Sequence, residues 1–334
     1  MIDRFAERLA RWQRVHGRHN LPWQSRGAYA TWISEVMLQQ TQVQVVTPYY
    51  KQFIVRFPSV QILANAQLDD VLSHWAGLGY YSRARNLHKA AQAIVENYHG
   101  EIPRDLSALR ELPGIGRSTA GAILSLGFGL RGVIQDGNVK RVLARLFAIP
   151  GDLSKSKAQN ELWSLADSLT PQTGEACRIH TQAMMDLGSL VCTRSKPNCR
   201  MCPLGELNCL YTEDVQKVSK NTKNVRKINM YLLTVINSLD EVYLEKIESG
   251  KLWENLYSGP FFYSAIKMNS WLKKMKISTA KIKNKFEINH RVTNKDIKIT
   301  NYVYFLKNNK NVSLSTENWY NLAKINVGIP KYFD

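Results

Sequence analysis

The stretch 109–146, LRELPGIGRSTAGAILSLGFGLRGVIQDGNVKRVLARL, constrains this chain more than any other. Leu112-Pro113-Gly114-Ile115-Gly116 reads as a tight turn that opens directly into a helical pattern over 118–126. Two glycines two residues apart let backbone N–H groups point outward together, as they do at a helix N-terminus, and that arrangement seats a phosphate. Twenty residues after the turn, Asp136-Gly137-Asn138 breaks the apolar pattern and opens a basic helix over 139–147. A phosphate seat and a carboxylate on neighbouring helix starts point to chemistry on a nucleic-acid backbone or sugar. Asp136 and Asn138 are equally good helix caps, and capping and catalysis are compatible.

Charge agrees with a polyanionic partner. The 334 residues carry a net +18, and a protein this basic usually meets nucleic acid. The excess is not uniform. Residues 1–210 hold 18 Arg, 6 Lys and 16 acids, whereas 211–334 hold 2 Arg, 19 Lys and 11 acids. Arginine is the better phosphate fork, so the charge of the first segment is the more specific. No apolar run of 18 residues and no signal-peptide core occur, because the first residues form an amphipathic helix, so the expectation is a soluble, cytoplasmic protein with no membrane association.

Helical periodicity dominates up to residue 210. Helices are expected over 3–16, with Phe5, Leu9, Trp12 and Val15 on one face, then over 29–42, 45–56 (disturbed near Pro48), 60–65, 68–75, 82–98, 106–111, 118–126, 139–147, 155–169 and 175–190. Residues 1–210 therefore read as an all-α domain. Residues 211–227 read as a polar, lysine-punctuated linker. Strand-like runs follow at 228–236, 241–244, 281–288 and 296–306, with one helix over 263–275, so 228–334 read as a small α+β domain.

Four of the five cysteines fall within 18 residues as Cys192-x6-Cys199-x2-Cys202-x6-Cys209. That density implies a metal site, either tetrahedral zinc or a [4Fe–4S] cluster. The wide first gap favours the cluster over a zinc ribbon built from two CxxC knuckles. Cys177 lies outside the pattern. Glu35 stands on an otherwise apolar and amide helix beside Ile33, Val36, Met37 and Leu38, and a glutamate so placed has a raised pKa and holds its proton.

The LPGIG turn, the aspartate twenty residues on, and the cysteine loop together resemble the helix-hairpin-helix glycosylases of the endonuclease III superfamily. Within it, WISEVMLQQTQV at 32–43 and GLGYY at 77–81 resemble the MutY family of adenine DNA glycosylases. The similarity covers 1–209 almost without a break and is weak over 228–334. It implies a mainly α helix-hairpin-helix glycosylase domain with a [4Fe–4S] loop at 192–209, followed by a small α+β, Nudix-like C-terminal domain. It implies metal ligation by Cys192, Cys199, Cys202 and Cys209, although the last gap holds six residues where the family usually has five.

The resemblance also assigns roles. Glu35 would be the acid that protonates the base, Asp136 the carboxylate facing the sugar cation, and Asn138 its orienting partner, which is the two-carboxylate logic of glycoside hydrolysis. Gln39, Gln40 and Tyr80 would fill the hole left by the flipped nucleotide and grip the opposite strand. Trp23, Gln24, Leu38 and Gln182 would line the adenine pocket. Gly114, Gly116, Lys140, Arg141, Arg83 and Arg85 would contact the DNA backbone. Ser118 stands where bifunctional relatives carry a Schiff-base lysine, which implies a monofunctional enzyme.

In the C-terminal domain, Ser249-Gly250-Lys251-Leu252-Trp253 resembles the family's SGLW segment with Lys251 inserted. The family's Phe-Ser-His reader of 8-oxoguanine aligns with Val292-Thr293-Asn294, where Thr293 alone keeps a hydroxyl. The expected substrate is duplex DNA with an 8-oxoG·A or G·A mispair, and the expected enzyme is a monomer associated with the nucleoid. Two alternatives stay open: an endonuclease III-like pyrimidine glycosylase/lyase, against which Ser118 speaks, and a non-catalytic mispair-binding protein.

Overall fold

The structure, a computed structural model, describes residues 2–207, 209–211, 225–278, 282–292, 295–306, 312–325 and 327–330. The chain forms two compact units. One comprises Met1–Ala66 with Ser82–Lys220, the other Gln67–Tyr81 with Asn221–Asp334.

The first unit is helical: α1 (Ile2–His16), α2 (Gly27–Leu38), α3 (Val43–Arg56), α4 (Val60–Asn65), then α6 (Ser82–Tyr98), α7 (Leu106–Glu111), α8 (Arg117–Ala122), α9 (Gly137–Leu146), α10 (Ser156–Leu169) and α11 (Gly174–Asp186), with α5 (Leu68–Ser73) in the other unit. Phe5, Leu9 and Trp12 recur at helical spacing on α1 and are buried, but Val15 is 72% exposed, so the apolar stripe ends one turn early. Helix α2 stops at Leu38 rather than running to residue 42, because Gln40 takes a left-handed conformation (φ 59°). Helix α3 runs through Pro48 unbroken; the proline removes one intrahelical N–H donor from a helix whose Val46, Tyr50 and Phe53 are buried. Helices α8 and α11 each continue as a wider, π-type turn, at Ile123–Gly127 and Leu187–Val191. The core under α1, α9, α10 and α11 is built from Leu143, Leu162, Met184 and Leu187 among others.

In the second unit, strands β1 (Arg226–Ile236) and β7 (Lys295–Phe305) run parallel, in register from Arg226↔Lys295 to Ile236↔Phe305. Strand β6 (Ile282–Val292) pairs antiparallel with β7. Beyond β1 come β2 (Val242–Tyr243) and β8 (Trp319–Tyr320), and β5 (Phe261–Phe262) also pairs with β1. A separate pair joins β3 (Glu245–Lys246) and β4 (Tyr257–Ser258). Helix α12 (Ala265–Lys274) lays Met268 and Leu272 on the core with Leu233, Val235 and Tyr304.

The helical region expected to run unbroken to residue 210 thus lends 67–81 to the other unit. Its ties there are polar as well as apolar. Lys246 Nζ donates to both oxygens of Asp69 at 2.8 and 3.0 Å, and the Tyr257 hydroxyl donates to Asp69 at 3.2 Å. Among the described residues no helix is long and apolar enough to cross a membrane.

Candidate active site

Glu35 sits mid-way along α2, flanked by the buried Ser34 and Val36. Burial first, and the charge of Asp136 second, push its carboxyl up to about 8. At neutral pH Glu35 therefore holds a proton. Asp136 is the N-cap of α9: one carboxylate oxygen accepts from the Val139 N–H at 2.8 Å, the other from the Asn138 side-chain amide at 3.2 Å. Burial raises its pKa as well, but those hydrogen bonds and the nearby Arg141 pull it back. Burial raises both carboxyls, but Asp136 alone has hydrogen bonds and a nearby guanidinium that favour its charged form, so the two have unlike surroundings.

Asn138 is itself held. Its side-chain oxygen accepts from Arg141 Nη2 at 2.8 Å, and the same guanidinium donates to the carbonyls of Gly188 (2.6 Å) and Cys192 (2.8 Å). A side chain at Gly188 would meet the Asn138 Cβ at 2.6 Å, so a glycine there is what lets α9 approach the turn after α11. Arg141 is half-buried, and its Nε and Nη2 donate to protein acceptors.

Arg83 departs from the expected backbone role. It is buried, and its Nη1 donates to the carbonyls of Val36, Met37 and Gln39 at 3.1, 2.7 and 2.5 Å. It closes the C-terminus of α2, where three carbonyls lack helical partners. Gln39 hydrogen-bonds Thr119 at 3.4 Å, and Gln40 is exposed in its left-handed conformation. Arg85 and Lys140 are half-buried. Gly114 (φ 80°) and Gly116 are exposed, and Gly116 leads into α8.

Ser118 accepts from the backbone N–H of Gln135 at 3.0 Å, which places position 118 one residue from Asp136. Trp23 is buried edge-on against Tyr50, with ring centroids 5.3 Å apart. The structure joins Gln24 and Gln182 in one network. Asp186, fully buried, accepts from the Arg18 backbone and guanidinium and from Gln182 Nε2 at 3.0 Å, while Gln24 donates to the Arg18 carbonyl at 2.7 Å and accepts from the Leu21 N–H at 2.9 Å. Both ends of the Gln24 amide are thereby engaged within the loop. Leu38 ends α2, half-buried.

Cys192, Cys199, Cys202 and Cys209 line one cavity with Val142, Leu146, Leu187, Val191, Leu204 and Arg145. The six-residue final gap still brings Cys209 to it. Burial, with the other three thiols adding to it, pushes Cys202 up to about 11. Arg145 donates to Cys192 Sγ at 3.3 Å and to the carbonyls of Thr193 and Arg194 at 2.7 and 3.0 Å. Among the described residues no three His, Cys, Asp or Glu side chains converge on a single ion position.

Tyr80 belongs to the second unit, 40% exposed with φ 49°. Thr293 lies outside the described residues. Three site residues escaped the sequence reading: Arg145, Asp186 and Arg18. Only Arg145 had a local signal, its i,i+4 spacing from Arg141 on α9.

Comparison with known proteins converges on this geometry. Residues 33–168 match the family described as "HhH-GPD superfamily base excision DNA repair protein". The chain is 39% identical over 98% of its length to the adenine DNA glycosylase of Buchnera aphidicola subsp. Schizaphis graminum, covering 96% of that protein. It is 44% identical to the human adenine DNA glycosylase over 57% of this chain and 36% of that one. A thermostable thymine-DNA glycosylase of known structure superposes with a TM-score of 0.55 at 27% identity, over 64% of this chain and 97% of that one. The chain belongs to the adenine DNA glycosylase family, on a helix-hairpin-helix glycosylase fold.

Proposed function

We propose that this chain hydrolyses the N-glycosidic bond of adenine paired with 8-oxoguanine or guanine in duplex DNA, as a monofunctional glycosylase in base excision repair. Adenine excision is the activity of its family; the mispair and the single function are our reading. One observation carries it: Glu35 holds a proton beside a hydrogen-bonded Asp136, and the neighbouring position 118 is a serine.

The chemistry follows from those groups. Glu35 gives its proton to a ring nitrogen of the extruded adenine, and the C1′–N bond breaks with its electron pair leaving on the base. Asp136 faces the cationic sugar, held in direction by Asn138, until water adds at C1′ and an abasic site remains. Ser118 has no amine with which to form a Schiff base, so the strand stays intact. DNA would approach along the exposed hairpin at Gly114 and Gly116, with Lys140 and Arg85 nearby in sequence to the site. The protein would act as a monomer in the cytoplasm, on the nucleoid.

The donor set fits a [4Fe–4S] cluster held by Cys192, Cys199, Cys202 and Cys209. All four thiols line one cavity in the 192–209 loop, a donor set and spacing that suit the cluster carried by the family. When bound, such a group supplies a cross-link to the loop and no reacting atom.

Single-turnover incubation with an 8-oxoG·A duplex, with and without alkali, tests the reading. Adenine release with strand scission only after alkali is expected. Scission without alkali, trapped by borohydride, overturns the single function; tight binding without release overturns the enzyme. Ser118→Lys should create borohydride-trappable scission.

A further inference from the structure

The segment 67–81 is folded with the C-terminal residues, and it carries Tyr80. The turn around that residue is unusual: Gly77 (φ 92°), Gly79 (φ 70°) and Tyr80 (φ 49°) are all left-handed. A tyrosine persists in that region only where its surroundings over-determine it. Two buried aromatic side chains do so. The Trp75 indole N–H donates to the Gly79 carbonyl at 3.1 Å. The Tyr81 hydroxyl accepts from the Gly77 N–H at 3.3 Å and donates to the carbonyl of Ile329 at 3.1 Å.

The third bond leaves the turn and reaches a segment nearly 250 residues away in sequence, and that segment is itself fixed. The Gly328 carbonyl accepts from the Tyr257 N–H at 2.8 Å. A Cβ at Gly328 would meet the Leu72 Cβ at 2.9 Å and Leu256 Cδ2 at 3.0 Å, so the strap lies hard against α5. Pro330, just beyond Ile329, is buried.

We infer that Tyr81 is a positioning residue, through which the strap 328–330 sets the direction of Tyr80. The second unit then contributes to reading the opposite strand by aiming a side chain carried in the 77–81 turn, independently of the Val292-Thr293-Asn294 tripeptide. This rests on the proposed function for the role of Tyr80, but the mechanical part does not. The Tyr81 hydroxyl both closes the turn and grips the strap.

The experiment uses the full chain in four forms: unaltered, Tyr81→Phe, Tyr80→Ala and the double variant. Single-turnover adenine release is measured on 8-oxoG·A and G·A duplexes, and hydrogen exchange is followed over 77–81. Tyr81→Phe should raise exchange there about tenfold, the loss of two hydrogen bonds. It should also lower the preference for 8-oxoG·A to the value of Tyr80→Ala, and cost nothing more in the Tyr80→Ala background, since coupled residues are not additive. A Tyr81→Phe loss that persists undiminished without Tyr80, or unchanged preference, overturns the inference. Gly328→Leu lifts the strap without touching the turn and should raise exchange over 77–81 as well; unchanged exchange there also overturns it. If the unaltered chain releases no adenine from either duplex, the proposed function fails, while exchange still decides whether the strap holds the turn.

Discussion

The two units secure their polar groups in opposite ways. In the helical unit, buried or half-buried arginines hold backbone carbonyls far away in sequence: Arg83 grips α2, Arg141 and Arg145 grip 188–194. Truncating any of them leaves several buried acceptors unsatisfied, at a cost of about 1–3 kcal/mol each. In the second unit, β6 and β7 carry charges on their outer faces, paired as Lys298–Glu287 at 3.0 Å and Arg291–Asp296 at 3.5 Å with half-exposed side chains. Such pairs are worth about 0–1 kcal/mol, so these positions drift freely. On the proposed reading, the groups assigned to chemistry are held by burial in the first unit, whereas the charge pairs of β6 and β7 contribute little to stability.

The largest effect should come from Glu35. Glu35→Gln removes the proton source, and adenine release in single turnover should fall by about a thousandfold. In the unaltered chain the rate should hold below pH 8 and decline above it as Glu35 ionises. The stability effect has the opposite sense to the activity effect. A carboxyl raised from 4.5 to about 8 contributes its stability below the unfolded pKa and loses it as pH rises through 8. Glu35→Gln should therefore be the more stable protein at pH 8, with a Tm higher by about 5 °C. A glutamate serving only the fold would show neither the rate loss nor the gain in Tm.

Asp136→Asn separates capping from catalysis. Asparagine keeps an oxygen for the Val139 N–H, so α9 should stay capped and the Tm should not fall. Adenine release should still drop by about a hundredfold, because the charge facing the sugar is gone. Retained activity would reduce Asp136 to a cap and break the contrast between the units at its centre.

Arg141→Met tests how far the locked network reaches. It strips donors from Asn138, Gly188 and Cys192 at once. A roughly tenfold loss in rate is expected, the usual scale for groups that orient a reacting side chain. Arg141 also lowers the Asp136 pKa, so its removal should move the acid limb of the pH–rate profile upward. Measuring that limb distinguishes lost orientation from general damage, which would scale the profile without shifting it.

What the sequence disclosed follows the same division. Glu35, Asp136 and the cysteine loop were legible because their residue types are improbable in those places: a carboxyl on an apolar helix, an aspartate at a helix start, four thiols in 18 residues. The arginines were not. A guanidinium on a helix face reads alike whether it points to phosphate or to a carbonyl, so the carbonyl partners of the buried Arg83 and the half-buried Arg141 could not be read. Asp186 and Arg18 are 168 residues apart and share no local pattern. Helix α2 was drawn four residues too long because nothing in Gln39-Gln40 announces a left-handed residue. The placement of 67–81 depends on Asp69, Tyr81 and their partners beyond residue 245, which no window along the chain contains.

The smallest effect should fall where the comparison predicts tolerance. Thr293 is the one hydroxyl in the tripeptide that the sequence resemblance sets against the family's Phe-Ser-His. A single neutral hydrogen bond contributes about 0.5 kcal/mol, so Thr293→Ala should change the ratio of release rates on 8-oxoG·A and G·A by no more than about threefold. The combined Val292→Phe and Asn294→His substitutions should raise that ratio, because they add a stacking face and a second donor to the tripeptide. If Thr293→Ala instead abolishes the preference, this tripeptide is as tightly bound to function as Glu35 is, and the weakness of the charge pairs on β6 and β7 says nothing of its role.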